Sequence, residues 1–387
     1  SMAFGSVHQG LLTPTLPLYV ASLGYSEVTV GLVLAAFSVT SFTIRPWLGH
    51  LADSWSVRGV LGLSGALIGL PALVLAVPSV WAVAASNAVR GIGWAAFNTG
   101  GNTLLAHIAP PARRGEAASW LSLFQDVSLA LGPPLALWLV SQGGSDGGGF
   151  VPVFLLATVA GLLVVGSAWM VPPAAGRVGH AALDKAPAAE PVSGLARFYD
   201  RGVLLASLLL VCLVLAAPSM SAFAPLYARS LGIGVESLSV YYLAVGATVV
   251  VGRFTLRHFS DRYGRGPALV AGFVCGGLGL LVMATASSLA ALVAAGVIFS
   301  IGQSLHQPST LALAIDRANP LRRGAAMASF TLWFQIGAGV GSAAAGALAA
   351  GMGYTTMYLI AIATPLAGLV LVAFNWRNLE RPLSTTR

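Results

Sequence analysis

Charge is what this 387-residue chain has least of: Asp, Glu, Lys and Arg together make up 8% of it, against about a quarter in an ordinary soluble domain. It also has little cysteine. Cys212 and Cys275 both lie inside apolar stretches, which excludes a disulfide-stapled secreted domain and offers no metal-ligand spacing, so both read as packing residues. No Gly-x-x-x-x-Gly-Lys-Ser/Thr phosphate loop occurs, which removes the usual signature of ATP-driven chemistry. The polar segments are too short for a catalytic domain, so the chain reads as no enzyme, and no cofactor or metal is implied.

What is present is apolar sequence. Hydrophobic residues make up 57% of the chain and gather into runs near the ~20 residues that cross a bilayer. Twelve spans are expected, at 3–23, 28–52, 59–77, 80–106, 117–140, 150–171, 202–230, 237–259, 267–286, 288–316, 324–350 and 353–374. The fold class is therefore an all-α polytopic membrane protein with the lipid bilayer as its solvent. The first span lacks a basic n-region and a small-residue cleavage site, so it reads as a retained helix.

The net charge of +8 reflects orientation rather than a nucleic-acid partner. Arg58, Arg113, Arg114, Arg177, Lys185, Arg197, Arg201, Arg257, Arg262, Arg265, Arg317, Arg322, Arg323, Arg377, Arg381 and Arg387 fall on one side of the twelve-span topology, and Arg229 on the other. The positive-inside rule then makes both termini and the 172–201 linker cytoplasmic. The expected organisation is a six-helix bundle over 1–171, a flexible Pro- and Ala-containing linker over 172–201, a second bundle over 202–376 and a tail over 377–387.

The two halves repeat each other. Pro17, Leu18, Tyr19, Leu23, Gly24, Arg45, His50 and Asp53 recur 208 residues later as Pro225, Leu226, Tyr227, Leu231, Gly232, Arg253, His258 and Asp261. Arg113, Arg114, Gly115 and Gly132 recur 209 later as Arg322, Arg323, Gly324 and Gly341. A repeat in a polytopic chain implies a transporter whose small-molecule site lies between the halves.

Ionisable residues within spans mark where that site could be, because each costs several kcal/mol unless it meets partners or a wet cavity. Asp126 is the one acidic residue that cannot be placed in a loop, linker, tail or span end. It lies about 15 Å into the fifth span at 1.5 Å per residue, and Arg90 sits at similar depth in the fourth. Two readings stay open: a structural Arg90–Asp126 ion pair, or proton exchange at Asp126 biased by Arg90. Asn87, Arg90, Trp94, Asn98 and Asn102 recur at helical spacing as one polar stripe, and Gln303, His306, Gln307 and Thr310 form a counterpart. Interhelical hydrogen bonding explains any single member; two whole stripes favour a substrate path, to which His8, Gln9 and Gln125 are added. His306 reads as substrate contact, second proton site or satisfied interior histidine.

Arg45-Pro46-Trp47-Leu48-Gly49-His50-Leu51-Ala52-Asp53 with Arg58, and Arg253 through Asp261-Arg262-Tyr263-Gly264-Arg265, resemble the cytoplasmic loop motif of the major facilitator superfamily. Pro14-Thr15-Leu16-Pro17-Leu18-Tyr19, Arg90-Gly91-Ile92-Gly93, and Ser128 with Gly132-Pro133 resemble motifs of its twelve-helix drug:proton antiporter branch. The resemblance implies the two-bundle fold, cavity-lining spans 1, 4, 7 and 10, and gating roles for Arg45, Asp53, Arg58, Arg253, Asp261, Arg262 and Arg265. The first copy of the loop motif is degraded at Ser54, Ser56 and Val57, and the acidic residue common in the first helix of the branch is absent. The implied function is proton-coupled export of small amphipathic or cationic compounds by a monomer. A dedicated exporter of one metabolite, such as a sugar or an opine-like metal chelator, uptake by symport, and a membrane sensor remain as alternatives.

A cysteine placed at Arg197 in a Cys212/Cys275-free background is expected to react with an impermeant maleimide from the cytoplasmic face only; labelling from the periplasm would overturn this topology.

Overall fold

The computed structural model describes residues 1–45, 47–48, 56–108, 114–143, 149–171, 201–256, 259–318 and 323–380. Among these there is no strand. In chain order the helices are α1 (Met2–Ser22), α2 (Glu27–Thr43), α3 (Val57–Val74), α4 (Val80–Ile108), α5 (Arg114–Gln142), α6 (Phe150–Trp169), α7 (Leu204–Val214), α8 (Ala217–Ser221), α9 (Ala224–Ser230), α10 (Leu238–Thr255), α11 (Phe259–Tyr263), α12 (Arg265–Ala284), α13 (Leu289–Arg317), α14 (Arg323–Ala361), α15 (Ala363–Phe374) and α16 (Trp376–Glu380).

Eight helical stretches among the described residues are long and apolar enough to cross a membrane. The last, Ala326–Phe374, has 49 residues, or about 70 Å at 1.5 Å per residue, more than twice a ~30 Å hydrocarbon core. It is divided at Gly353, whose φ of 80° interrupts α14 near the expected boundary of spans 11 and 12. That makes nine crossings, and α1, α2 and α4 bring the total to twelve. α2 is the shorter apolar helix of 17 residues. α1 and α4 carry the polar residues His8, Gln9, Asn87, Arg90, Asn98 and Asn102, which lower their hydropathy.

Sequence reading expected one continuous seventh span over 202–230. The structure breaks it into α7, α8 and α9. Pro218 and Pro225 each remove a backbone donor, so the carbonyls four residues earlier have no helical partner.

Two repeated glycine pairs have local causes. Gly24 and Gly232, at φ 82° and 76°, turn the chain out of α1 and α9 in the left-handed region that favours glycine. Gly132 and Gly341 permit close approach. A Cβ on Gly132 would lie 2.8 Å from the Gly10 backbone of α1, and one on Gly341 would lie 2.2 Å from the Leu215 carbonyl. Small residues allow such packing in a membrane, where dispersion and hydrogen bonds replace the hydrophobic drive.

The chain forms two compact units, Ser1–Ala186 with Ser221–Gly246, and Pro187–Met220 with Ala247–Arg387. In the first, Tyr19 of α1 packs on Phe150 and Phe154 of α6, with ring centroids 5.2 and 5.0 Å away. Thr40 of α2 donates to the Ala88 carbonyl of α4 at 2.7 Å. A Cβ on Gly246 of α10 would meet Ala130 of α5 at 2.4 Å. In the second unit, Phe273 of α12 lies edge-on to His306 of α13, with centroids 4.8 Å apart. Trp81 and Trp169, at opposite ends of their helices and largely exposed, suit the two membrane interfaces.

Gly132→Ala is expected to cost about 1–3 kcal/mol through overpacking against backbone that cannot yield. Gly166→Ala, with nothing within 4 Å of its added Cβ, should leave the melting temperature in detergent unchanged or raised. Equal melting of the two variants would contradict the Gly10–Gly132 packing.

Candidate functional site

The strongest polar constellation lies inside the first unit, where α1, α2, α4 and α6 meet around Arg90. Arg90 is 2% exposed. Its Nε donates to His8 Nε2 at 3.0 Å, one terminal nitrogen donates to Asn87 Oδ1 at 2.6 Å, and the other to Gln9 Oε1 at 3.2 Å. Each acceptor is held in turn. His8 Nδ1 lies 2.8 Å from the Ala157 carbonyl of α6, and Asn87 Nδ2 donates to the Val33 carbonyl of α2 at 2.7 Å. A carbonyl only accepts, so Nδ1 of His8 carries the hydrogen and Nε2 presents its lone pair to Arg90. The Phe37 ring of α2 lies 5.8 Å from the guanidinium carbon, within cation–π range.

These bonds differ from the Arg90–Asp126 ion pair, one of the two readings the sequence left open. None of the three guanidinium bonds goes to Asp126. The axial register gives the reason. α1 and α5 cross at Gly10 and Gly132. At 1.5 Å per residue, Asp126 lies about 9 Å below that crossing and His8 about 3 Å below, which leaves about 6 Å between Asp126 and the level of the Arg90 cluster. Asp126 itself is half-buried in α5.

The α4 stripe divides along its length. Asn87 and Arg90 are buried in the knot, whereas Trp94 and Asn98 are half-buried and Asn102 is exposed. Trp94 stacks on Phe97 at 5.4 Å, and Asn98 Nδ2 donates to the Trp94 carbonyl of its own helix at 2.9 Å. Gln9 and Gln125 are half-buried. On α13, His306 is fully buried, its Nε2 lying 2.9 Å from the Leu209 carbonyl of α7, and its Nδ1 has no hydrogen-bond partner among the described residues. Gln303 is half-buried and Gln307 exposed.

Of the gating residues, Asp53 and its neighbours over 49–55 lie outside the described residues, as does the side chain of Asp261. Arg45 is half-buried, and Arg253 is exposed at the end of α10. Arg58, at the start of α3, stacks over the Trp169 ring at the end of α6, 4.4 Å from its centroid. Arg262 lies over Tyr263 at 5.6 Å. Arg265, at the start of α12, pairs with Asp316 near the end of α13 at 3.2 Å. Sequence reading missed Trp169 and Asp316 as partners, because neither is near its partner in sequence. The shared side of the starts of spans 3 and 9 and the ends of spans 6 and 10 was the available signal.

The sequence model of the Major Facilitator Superfamily matches residues 1–259 and 250–387. The chain belongs to this superfamily. It is 26% identical over 378 residues to an uncharacterized MFS-type transporter of Salmonella typhimurium, covering 94% of this chain and 91% of the relative. It is 22% identical over 382 residues to the staphylopine export protein of Staphylococcus aureus, covering 97% and 94%. Among solved structures, a POT family transporter crystallised with a thioalcohol-conjugated peptide superposes with a TM-score of 0.77 at 13% identity, covering 98% of this chain and 95% of that one. The chain is thus a membrane transporter of the superfamily fold, twelve helices in two pseudo-symmetric bundles, that handles a small molecule and is not an enzyme.

In this superfamily member the polar knot is not duplicated. At an offset of 208 or 209, Arg90 corresponds to Ile298 or Phe299 and Asn87 to Ala295 or Gly296, while at 208 His8 and Gln9 correspond to Ala216 and Ala217.

His8→Ala strips an acceptor from a buried cation and a donor from the Ala157 carbonyl. It should lower stability by about 1–3 kcal/mol, whereas Gln9→Ala, removing the longer and more accessible bond, should cost under about 1 kcal/mol. Thermal melting in detergent checks the order; a larger loss from Gln9→Ala would contradict this reading of the knot.

Proposed function

We propose that the chain is a proton-coupled exporter of small amphipathic or cationic compounds, working by alternating access, with Asp126 as its principal proton-coupling group. The observation that carries this reading is an acid half-buried inside α5, in a stretch apolar enough to span. Such an acid is costly unless it serves a proton or substrate path. His8 suits proton carriage less well, since both ring nitrogens are engaged and protonating Nε2 breaks the Arg90 bond. His306 serves as a second proton site, with one lone pair uncommitted among the described residues.

In this reading Gln9, Trp94, Asn98, Asn102, Gln125, Gln303, His306 and Gln307 contact substrate, with His8 and Asn87 setting the orientation of Arg90. Asp53 and Asp261 act with Arg45, Arg58, Arg253, Arg262 and Arg265 as cytoplasmic latches that open once per cycle. The protein works as a monomer in a bacterial inner membrane, with six-helix halves over 1–171 and 202–376 and both termini in the cytoplasm.

The likeness to a staphylopine exporter favours a second reading, a dedicated exporter of one opine-like metabolite. A melting screen of the purified protein separates the two: several unrelated cationic compounds raising the melting temperature support the first, and one class of metal-chelating amino-acid derivative the second.

With the best ligand from that screen, Asp126→Asn in proteoliposomes is expected to abolish pH-gradient-driven accumulation while retaining binding that no longer varies with pH. Arg90→Ala should impair both binding and coupling, because the knot loses its centre. Full proton-driven accumulation by Asp126→Asn would remove Asp126 from the mechanism.

A further inference from the structure

Two tyrosine hydroxyls stand where the seventh span has lost its own donors. In an unbroken helix the Ser221 carbonyl would accept from the N–H of residue 225, but residue 225 is proline and has none. The Tyr242 hydroxyl of α10 donates to that carbonyl instead. Two residues earlier, the Ser219 carbonyl would look to residue 223. That residue falls in the gap between α8 and α9, and the Tyr358 hydroxyl of α14 donates to Ser219 at 3.0 Å. Ser219, Tyr242 and Tyr358 are all buried, where a carbonyl without a donor costs several kcal/mol in a membrane. Gly341 leaves room for the Leu215 carbonyl at the earlier gap, between α7 and α8.

Proline alone does not explain the break. Pro17, the repeat counterpart of Pro225, lies inside the unbroken α1 together with Pro14. The second copy differs in carrying Pro218, where the first has Gly10, and in having the pair of side-chain donors. The two also differ in what they allow. An i to i−4 bond fixes the backbone turn that forms it, whereas a phenolic O–H rotates to suit and can follow a carbonyl through a change of backbone angle. The carbonyls fall on either side of the point where the chain passes from one compact unit to the other, Met220–Ser221.

We propose that Tyr242 and Tyr358 are positioning residues of the transport cycle: they hold the seventh span open at Ser219–Phe223, so that the backbone there changes its angles without stranding a carbonyl. This holds whichever ion drives transport and whichever compound is carried.

Hydrogen–deuterium exchange on the full chain in lipid nanodiscs tests it. Tyr242→Phe keeps the ring and removes the hydroxyl. It should speed exchange of the 222–230 amides about fivefold, the factor one ordinary hydrogen bond is worth, and leave the rest of the molecule unchanged. Pro225→Ala restores the helical donor to Ser221, so in that background Tyr242→Phe should change exchange by less than about twofold, the mark of two groups serving one carbonyl. Tyr358→Phe should act on 215–221 instead. The motional role is read in a Cys212→Ala/Cys275→Ala protein carrying Ala228→Cys, a buried site on α9. Pro225→Ala should slow reaction of that cysteine with an impermeant maleimide, and Tyr242→Phe should quicken it. Equal effects of Tyr242→Phe in both backgrounds, or none in either, would overturn the clasp. Labelling rates identical in all variants would overturn its part in the cycle.

Discussion

A hydrocarbon solvent accepts and donates no hydrogen bonds, and the local peculiarities of this molecule follow from that constraint. Serine and threonine hydroxyls within the spans turn back on their own helices: Thr15 to Leu11, Ser128 to Phe124, Thr158 to Phe154, Ser207 to Val203 and Ser309 to Leu305. Asn98 and Thr310 do the same. Where a side chain cannot satisfy itself locally, it bridges helices, as Asn87 does to Val33 and His306 to Leu209. The Arg90 knot is the extreme case. A guanidinium has five N–H groups and no acceptor, and here the three bonds it makes draw in residues from α1 and α4, while His8 and Asn87 carry the connection on to α6 and α2. One buried cation thereby fixes the register of four spans.

The two halves obey the constraint by different means although they share a sequence pattern. Backbone geometry is duplicated: Gly24 and Gly232 make the same left-handed exit, and Gly132 and Gly341 the same close approach of span 5 to span 1 and of span 11 to span 7. Polar chemistry is not. The first half places charge and amides in its interior at positions where the second has Ala216, Ala217, Ala295 or Gly296, and Ile298 or Phe299. The second half has a broken span with tyrosines in place of the missing donors, where the first has one continuous helix. A duplicated scaffold thus carries a buried polar centre in one half and a broken span in the other.

Much of this was legible in the sequence because hydropathy and repeat spacing act over long windows. Twelve spans, the recurrence of Leu23-Gly24 as Leu231-Gly232, and the position of Arg90, Asn87 and His306 within spans all follow from residue type and periodicity. The partner of Arg90 did not. Sequence reasoning compared depth and charge, which left an Asp126 pair open, whereas the structure is decided by which helix faces which: α1 brings His8 and Gln9 to Arg90, and the Gly10–Gly132 crossing sets Asp126 about a turn lower. The break in span 7 was half legible. Pro225 announced a lost bond to Ser221, but hydropathy treats 202–230 as one run, and no one-dimensional signal says that Tyr242 and Tyr358 arrive to replace the donor. Trp169 beneath Arg58 and Asp316 beside Arg265 were hidden for the same reason.

A coupling element must be able to change partners, and that requirement separates groups that look alike by composition. The Arg90 knot is closed on itself: His8 has one nitrogen on Ala157 and one on Arg90, and both ends of the Asn87 amide are used. Changing it means breaking several buried bonds together, so it acts as a fixed field on its surroundings. Asp126 lies outside those three guanidinium bonds, half-buried on α5, which approaches α1 closely at Gly132 and Gly10. An acid borne on such a helix, offset by about one turn from a cation that stays put, moves in that cation's field when the helix shifts. Under the proposed mechanism, a displacement of α5 would change the proton affinity of Asp126 without requiring the knot itself to open.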